Sequence, residues 1–354
     1  MAPPPPQPIH GRGASANPAN RFEALALEPD LSELPEDEER PRLTTKYFRD
    51  FSRTIIAHND SPDVGFDSSV NPYRGCEHGC IYCYARPTHE YLGFSAGLDF
   101  ESRIMVKEDA PELLAAELAK PKWKPQVLAM SGVTDPYQPV ERRLQITRRC
   151  LGVLARFRNP VAIITKNALV TRDIDLLGEL AAHDAAAVNV SVTSLDPKLQ
   201  RILEPRTSAP RARLDAIAQL HAAGIPVGVM VAPIIPGLTD HEVPAILQAC
   251  ADAGAQWAGF TVVRLPLAVA PLFERWLEEH FPDRKEKVLG RIRHLRGGER
   301  LNDPRFKSRM RGEGIFAEQI AALFEAGCKR VGFSGRVQLS TANFRRPNEQ
   351  LSLF

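Results

Sequence analysis

The feature that most limits how this chain can fold is an alternation, from about residue 100 to about residue 265, of short β-branched or apolar runs with amphipathic stretches of helical length. That is the pattern of repeated βα units laid around a parallel sheet. Strands are expected at 103–107, 126–131, 161–165, 187–193, 227–233 and 257–264, and helices at 110–119, 142–157, 171–182, 211–223 and 242–253. The last two helices run into Gly224 and Gly254, residues that favour the left-handed conformation in which helices commonly stop. The fold class is therefore α/β, and a barrel, complete or partial, fits the pattern best. Strand and helix order alone does not fix closure, so a doubly wound open sheet is the alternative. Either architecture puts the ligand at the carboxyl ends of the strands.

The flanks read differently. Residues 1–45 hold nine of the 30 prolines, four basic and eight acidic side chains and almost no apolar periodicity, which predicts a disordered arm. Its acidic run, Glu36-Asp37-Glu38-Glu39, is either a solvated linker or a mimic of nucleic acid for the protein's own basic surface. The 354 residues carry a formal net charge of only +2, which argues against a bulk polycation that coats nucleic acid. The charge is nevertheless uneven: residues 284–311 contain eleven Lys or Arg against three acidic residues. A basic stripe with Phe306, Phe316 and Phe333 nearby could track a phosphate backbone; the plainer alternative is a solvated helix over 285–295. No apolar run approaches the roughly 18 residues needed to span a bilayer, and the first residues lack the basic and apolar regions of a secretory signal. A cytoplasmic protein with no membrane partner is expected. These shifts divide the chain into an arm (1–45), an α/β barrel (46–270), a basic, mainly helical region (271–343) and a flexible tail (344–354).

Chemistry concentrates in Asn71-Pro72-Tyr73-Arg74-Gly75-Cys76-Glu77-His78-Gly79-Cys80-Ile81-Tyr82-Cys83-Tyr84. Six cysteines are too few for a disulfide scaffold, yet three of them, Cys76, Cys80 and Cys83, fall within eight residues with C-x3-C-x2-C spacing. Three thiolates can hold three irons of a cubane cluster and leave the fourth open to a ligand other than protein, which marks a site of chemistry rather than of electron storage. Zinc is the competing metal, with His78 or His89 as fourth ligand, although structural zinc usually takes its cysteines as two close pairs. Cys150, Cys250 and Cys328 stand alone on apolar helix faces or beside a turn, where burial is the expected role. Glu77 and His78 are expected to face solvent. His89-Glu90-Tyr91 sets acid, base and aromatic groups side by side without an evident partner.

The C-x3-C-x2-C spacing ahead of a series of βα units resembles the radical S-adenosylmethionine (SAM) superfamily, and Tyr82 and Tyr84 around the third cysteine resemble its spore photoproduct lyase branch, over roughly residues 65–265. The full run is similar to a bacterial lyase-like family with the signature NPYRGCEHGCxYCYARP. The resemblance implies a partial (β/α)6-type parallel barrel, a [4Fe-4S] cluster on Cys76, Cys80 and Cys83, and S-adenosylmethionine chelated through its amino and carboxylate groups at the open iron. Reduction then cleaves the sulfonium to a 5′-deoxyadenosyl radical that abstracts hydrogen from substrate, with a flavodoxin or ferredoxin as the implied electron donor. Residue by residue, Ser131, Gly132 and Thr134, in Ser131-Gly132-Val133-Thr134-Asp135, take the place of the segment that meets the cofactor's amino group. Lys166 takes the place of a lysine that pairs with its carboxylate, Ser191 and Thr193 are candidates for its polar groups, and Arg206 for a second cation. The lyase branch repairs a thymine dimer in DNA and returns a hydrogen atom from a cysteine within the segment that matches 131–135. No cysteine stands there in this chain, which puts lyase activity on that lesion in doubt. Tyr82 or Tyr84 could relay a hydrogen, and both are equally readable as packing residues.

The last residues, Gln350-Leu351-Ser352-Leu353-Phe354, are similar to the peptide by which bacterial polymerases and repair proteins bind the replication sliding clamp, with Gln350 filling one subsite and Leu353 and Phe354 the other. A tail folded back on its own domain is the alternative. Cluster, basic stripe and tail together point to a radical enzyme acting on a nucleic acid, most plausibly DNA in repair or modification, tethered to the clamp. Two readings compete with it: a radical enzyme that modifies RNA or a polypeptide, and a non-catalytic zinc- or clamp-binding protein whose cysteines are structural.

Overall fold

The computed structural model describes residues 9–22, 43–333, 335 and 337–347. Its main sheet has seven strands, six of which run parallel and lie side by side in chain order: β1 (Ser68–Val70), β2 (Leu128–Met130), β3 (Val161–Thr165), β4 (Ala186–Ser191), β5 (Val227–Ile234) and β6 (Ala258–Val262). Order without a reversal separates a barrel from a doubly wound sheet, because each right-handed crossover then lands its helix on the same face and the sheet curls. The seventh strand, Ile56–His58, pairs antiparallel with β1, and it and β6 form the two ends of the sheet. The architecture is the expected α/β partial barrel.

The crossovers are α1 (Ala110–Ala119), α2 (Ile146–Phe157), α3 (Ile174–Ala181), α4 (Pro210–Ala222) and α5 (Val243–Asp252). In α2, Ile146, Cys150, Leu151, Leu154 and Phe157 recur at helical spacing and are buried, while Arg149 is exposed. They meet the β-branched residues of the strands, among them Val161, Ile163, Val188, Val190, Val227 and Val229, in one continuous core. Burying each such side chain stabilises the fold by about 1.5–3 kcal/mol. Cys150 and Cys250 are fully buried within it, the role expected of solitary cysteines, and Cys328 packs against its edge. The helix expected over 142–157 is divided at Gln145, whose φ of 52° interrupts it after Glu141–Leu144.

Two regions depart from the sequence reading. Arg103–Val106, expected in the barrel, pairs instead with Lys46–Arg49 and Tyr73–Arg74 in a separate three-stranded sheet, and the first barrel strand is Ser68–Val70. Alternation of buried Ile104 and Val106 marks a strand without naming its partner, and a strand that is two-thirds serine carries no apolar signal. Residues 9–22, read as part of a structureless arm, are packed on the cysteine loop. The buried Glu101 carboxylate accepts the backbone N–H groups of Gly13 and Ala14 at 3.1 and 2.9 Å. The contact is close enough to require glycine: a Cβ on Gly13 would lie 1.8 Å from the Gly79 carbonyl oxygen.

Beyond β6 come α6 (Val269–His280), α7 (Lys285–Leu295) and α8 (Ile315–Val331). The basic helix α7 is anchored through buried Val288, Leu289, Ile292 and Leu295, and Lys287 is exposed. Helix α8 lies on α5, with Gly327 against Leu247 and the Phe324 ring tilted against that of Phe260 of β6 at 4.5 Å. The described end of the chain then returns to the amino ends of the strands, where Ser340 donates to the Asp184 carbonyl at 2.8 Å and Arg345 to that of Phe157 at 2.9 Å. No helix among the described residues is long and apolar enough to cross a membrane.

Candidate active site

From β1 the chain passes into the cysteine loop at the carboxyl ends of the strands. Gly75 and Gly79, at φ 78° and 68°, make turns that favour glycine. The loop is held by its backbone: Cys76 N–H bonds the Phe100 carbonyl at 2.9 Å, the Gly75 carbonyl accepts from Thr134 Oγ1 at 2.7 Å, and Gln138 Oε1 accepts from Glu77 N–H at 3.0 Å. Arg86, three residues past Cys83 and fully buried, binds the carbonyls of Gly79, Cys80, Ala96 and Gly97 and the Glu101 carboxylate at 2.5 Å. The sequence reading missed Arg86 and Glu101, and the only available signal for the former was an arginine inside the run that carries the cysteines.

Cys76 and Cys80 are each 7% exposed, and Cys83 packs against the groups that contain them. Burial first, then the neighbouring Cys76, pushes Cys83 up to about 11, and Cys80 rises well above its ordinary value by burial and the nearby Glu204 charge. Val133 packs beside Cys76, so the 131–134 turn abuts the loop. Thr134 spends its hydroxyl proton on the Gly75 carbonyl, and the Gly132 carbonyl accepts from Tyr84 at 2.6 Å. No three His, Cys, Asp or Glu side chains among the described residues converge on a single ion.

Glu77 and His78 do not face solvent as expected; each is 1% exposed. Glu77 accepts from the Val140 N–H at 2.7 Å and the Tyr47 hydroxyl at 3.0 Å and pairs with Arg206 at 3.2 Å. His78 sits between Asp135, 3.4 Å from Nδ1, and Asn167, 3.2 Å from Nε2. Burial disfavours its imidazolium, but the Asp135 carboxylate and the Cys76 thiol outweigh that and raise it to about 10. Arg206 is engaged away from the strand ends because its N–H bonds the His78 carbonyl, which brings the side chain to Glu77 and Thr45. His89 is buried between Phe94 and Phe100 with Nε2 2.9 Å from the Arg103 carbonyl, Glu90 pairs with Arg21, and Tyr91 is exposed, so His89-Glu90-Tyr91 forms no site.

Tyr82, Lys166 and Thr193 are brought together, around a residue the sequence reading passed over. Glu204 takes Tyr82 and Arg213 directly, Thr193 Oγ1 at 2.7 Å and Lys166 Nζ at 3.3 Å. Burial disfavours the Glu204 carboxylate, yet Arg213 and Lys166 hold it well below the ordinary carboxylate range. Lys166 also donates to the Ala232 carbonyl at 2.8 Å. Ser191, the last residue of β4, is buried, and its carbonyl accepts from Arg213 at 2.9 Å. Burial and the Glu204 charge keep the Tyr82 hydroxyl protonated, so this tyrosine is fixed in the wall. Tyr84, 49% exposed, is the one that opens outward.

A sequence profile of the Radical SAM superfamily matches residues 70–250, which span the cysteine loop and the strands through β5. The chain belongs to that superfamily. It is a radical SAM enzyme, of a class that carries a [4Fe-4S] cluster and S-adenosylmethionine. Among its relatives is the Mycobacterium tuberculosis (strain H37Rv) protein Rv2578c, 40% identical over 234 residues, 65% of this chain and 67% of that one. The Methanocaldococcus jannaschii protein MJ0683 is 30% identical over 219 residues, 62% of this chain and 78% of its own length. Among solved structures, spore photoproduct lyase complexed with dinucleoside spore photoproduct shares the fold with a TM-score of 0.57 and 16% identity, covering 84% of each chain.

Proposed function

We propose that this radical SAM enzyme acts on a nucleic acid, namely DNA in repair or modification, with Cys76, Cys80 and Cys83 as the ligands of its cluster. One observation carries the assignment: three thiols free of disulfides share the mouth of an open parallel barrel with the 131–134 turn and the end of β3. The donor set fits a cubane. Cys83 packs against the groups that hold Cys76 and Cys80, and of the two imidazoles that could give zinc a fourth ligand, His78 is paired with Asp135 and His89 with the Arg103 carbonyl. When bound, cluster and cofactor supply reductive cleavage of the sulfonium to a 5′-deoxyadenosyl radical that abstracts hydrogen from substrate.

The chain's own residues supply position and exclusion. Arg86 and Glu101 fix the loop backbone, and residues 9–22 cover its back. Ser131, Gly132 and Thr134 offer the cofactor a turn against the loop, while Lys166, Ser191 and Thr193 present polar groups at the next strand ends, with Glu204 setting the position of Lys166. Of the two tyrosines, Tyr84 is the better hydrogen relay, because the Tyr82 hydroxyl is committed to Glu204. A flavodoxin or ferredoxin is the proposed reductant. The nucleic-acid reading draws support from the lyase fold and from the eleven basic residues of 284–311.

The test is anaerobic. After reconstitution with iron and sulfide and reduction, S-adenosylmethionine is added and 5′-deoxyadenosine measured without DNA and with native or UV-irradiated DNA. Formation raised by DNA is expected. Formation that no nucleic acid changes would move the substrate to a polypeptide or small molecule. Gln350, Leu351, Leu353 and Phe354 lie outside the described residues, and binding of this peptide to a bacterial sliding clamp is proposed as a tether. The described chain leading to it sits at the amino ends of the strands, opposite the cysteine loop, so a clamp held there leaves the mouth free. Deletion of 350–354 is expected to abolish clamp binding in surface plasmon resonance, and unchanged affinity would remove the tether.

A further inference from the structure

The end of β6 carries positive charge that the chemistry of the cysteine loop leaves unused. Arg264, two residues beyond the strand, stacks over the exposed Tyr84 ring at 5.3 Å, and its Nη1 meets the Met310 thioether at 3.6 Å. Its Nε is buried without a hydrogen-bond partner. Nearby, Arg296 is 5% exposed and donates to the Ser308 and Val263 carbonyls at 2.9 and 2.6 Å, with its Nε likewise unpartnered. Neither guanidinium has an ion pair with a carboxylate among the described residues. Burial and the neighbouring guanidiniums disfavour charge on both, lowering Arg296 to about 10. Asp63 offsets part of this at Arg264, and Asp303 and Glu313 part of it at Arg296, without pairing with either, so an added anion is favoured.

The adjoining segment is held by two carboxylates and turned outward. Asp303 holds Arg305 at 2.8 Å and the Ser308 hydroxyl at 2.6 Å, and Asp63 accepts the Lys307 N–H at 2.5 Å and pairs with Arg309. Lys307 lies at φ 68°, ψ −61°, and the Ser308 N–H bonds the Phe306 carbonyl at 2.9 Å, which closes a γ-turn of the strained hand. The turn leaves Phe306 53% exposed, with the Arg309 guanidinium 4.5 Å from its ring.

We infer that Arg264, with the exposed rings of Tyr84 and Phe306, forms a docking point for nucleic acid, in which the guanidinium takes a backbone phosphate and the rings offer stacking faces to bases. The inference rests on the nucleic-acid reading above and assigns a subsite to it. Tyr84 directly follows Cys83, so a strand held here lies beside the loop where the radical arises.

The experiment measures fluorescence anisotropy of labelled single-stranded and duplex oligodeoxynucleotides against the anaerobically reconstituted protein over a range of salt. Arg264→Gln is expected to weaken binding about ten-fold and to lower the magnitude of the salt slope by about one. Phe306→Ala, an exposed change that leaves the core intact, is expected to weaken it by about the same factor with the salt slope kept. Arg211→Gln, on the outer face of α4, serves as the charge control and is expected to change neither. Equilibrium dialysis with S-adenosylmethionine tests the other available anion, the cofactor's carboxylate, and an unchanged affinity in Arg264→Gln is expected. Loss of cofactor affinity with oligonucleotide binding intact would overturn the inference and give Arg264 to the cofactor. Wild-type binding that both variants retain would overturn the subsite alone, whereas wild-type protein that forms 5′-deoxyadenosine and binds no oligonucleotide would overturn the nucleic-acid reading with it.

Discussion

The cysteine loop and the rim beyond β6 treat buried charge in opposite ways. Under the loop the buried ions have counter-ions at hand: Arg86 with Glu101 at 2.5 Å, Glu77 with Arg206 at 3.2 Å, and Glu204 with Arg213 and Lys166. At the rim Arg264 and Arg296 bond carbonyls, a thioether and an aromatic face, and among the described residues the carboxylates near them, Asp63 for the one and Asp303 and Glu313 for the other, act from beyond ion-pair distance. Paired charges in a poorly solvating interior hold geometry, because losing either member strands the other. Unpaired charges do the reverse, lowering stability until a ligand of opposite sign arrives. The buried ions under the loop are thus matched within the chain, and those of the rim are left for the proposed ligand to match.

The comparison breaks most directly at Arg86. Arg86→Met strands the Glu101 carboxylate and frees four backbone carbonyls, and the expected destabilisation is about 3–5 kcal/mol. Thermal unfolding should show a large fall in Tm, and iron retained per chain after reconstitution should fall with it. Arg264→Met, of matching chemistry, should leave Tm unchanged or slightly raised, because it removes a charge that has no ion pair among the described residues and whose Nε has no hydrogen-bond partner. Equal losses of Tm in the two variants would mean that the two regions do not differ in the way described.

A third kind of buried group sharpens the contrast. His89 is fully buried beside Phe94 and Phe100 with no carboxylate bonded to it, and burial lowers it to about 4 from an ordinary value near 6.5. The folded chain therefore holds it neutral while the unfolded chain takes up a proton first. Its contribution is full above pH 6.5 and is lost as pH falls from there towards 4, by about 3 kcal/mol at the lower limit. Urea unfolding between pH 7.5 and 4.5 should show the decline, and His89→Phe should flatten it. A slope that survives the substitution would place the titration elsewhere in the chain.

What was legible in the sequence follows from range. Val161–Thr165 and Ala110–Ala119 were readable because their apolar periodicity is local and strong, and the C-x3-C-x2-C spacing because its chemistry needs no other part of the chain. Ser68–Val70 was hidden because serine in a buried strand looks like a loop. Glu77 and His78 were misread for a related reason: their burial comes from Val140, Arg206, Asp135 and Asn167, all distant in sequence, and a polar residue between two cysteines gives no sign of such partners. Glu204 and Arg264 escaped notice on the same ground, since what distinguishes them is that one is ion-paired and the other, among the described residues, is not.

The smallest expected effect separates the rim from the rest of the basic surface. Lys287 lies exposed on α7, within the same run of positive charge as Arg305 and Arg309, and no ion pair among the described residues includes it. If the whole stripe binds nucleic acid as a diffuse field, Lys287→Gln and Arg264→Gln should weaken oligonucleotide binding alike, since each removes one charge. If Arg264 is a built contact, the two diverge: Lys287→Gln should lose no more than about two-fold in affinity and leave stability within about 0.5 kcal/mol of wild type. Desolvation makes the difference, because an exposed ammonium keeps its water and counter-ions whether or not a phosphate is near, while a guanidinium partly shielded from water by Tyr84 and Met310 gains more when the phosphate arrives. A Lys287→Gln loss as large as that of Arg264→Gln, measured at the same salt concentration, would return the rim to the general basic surface and erase the distinction between the two regions.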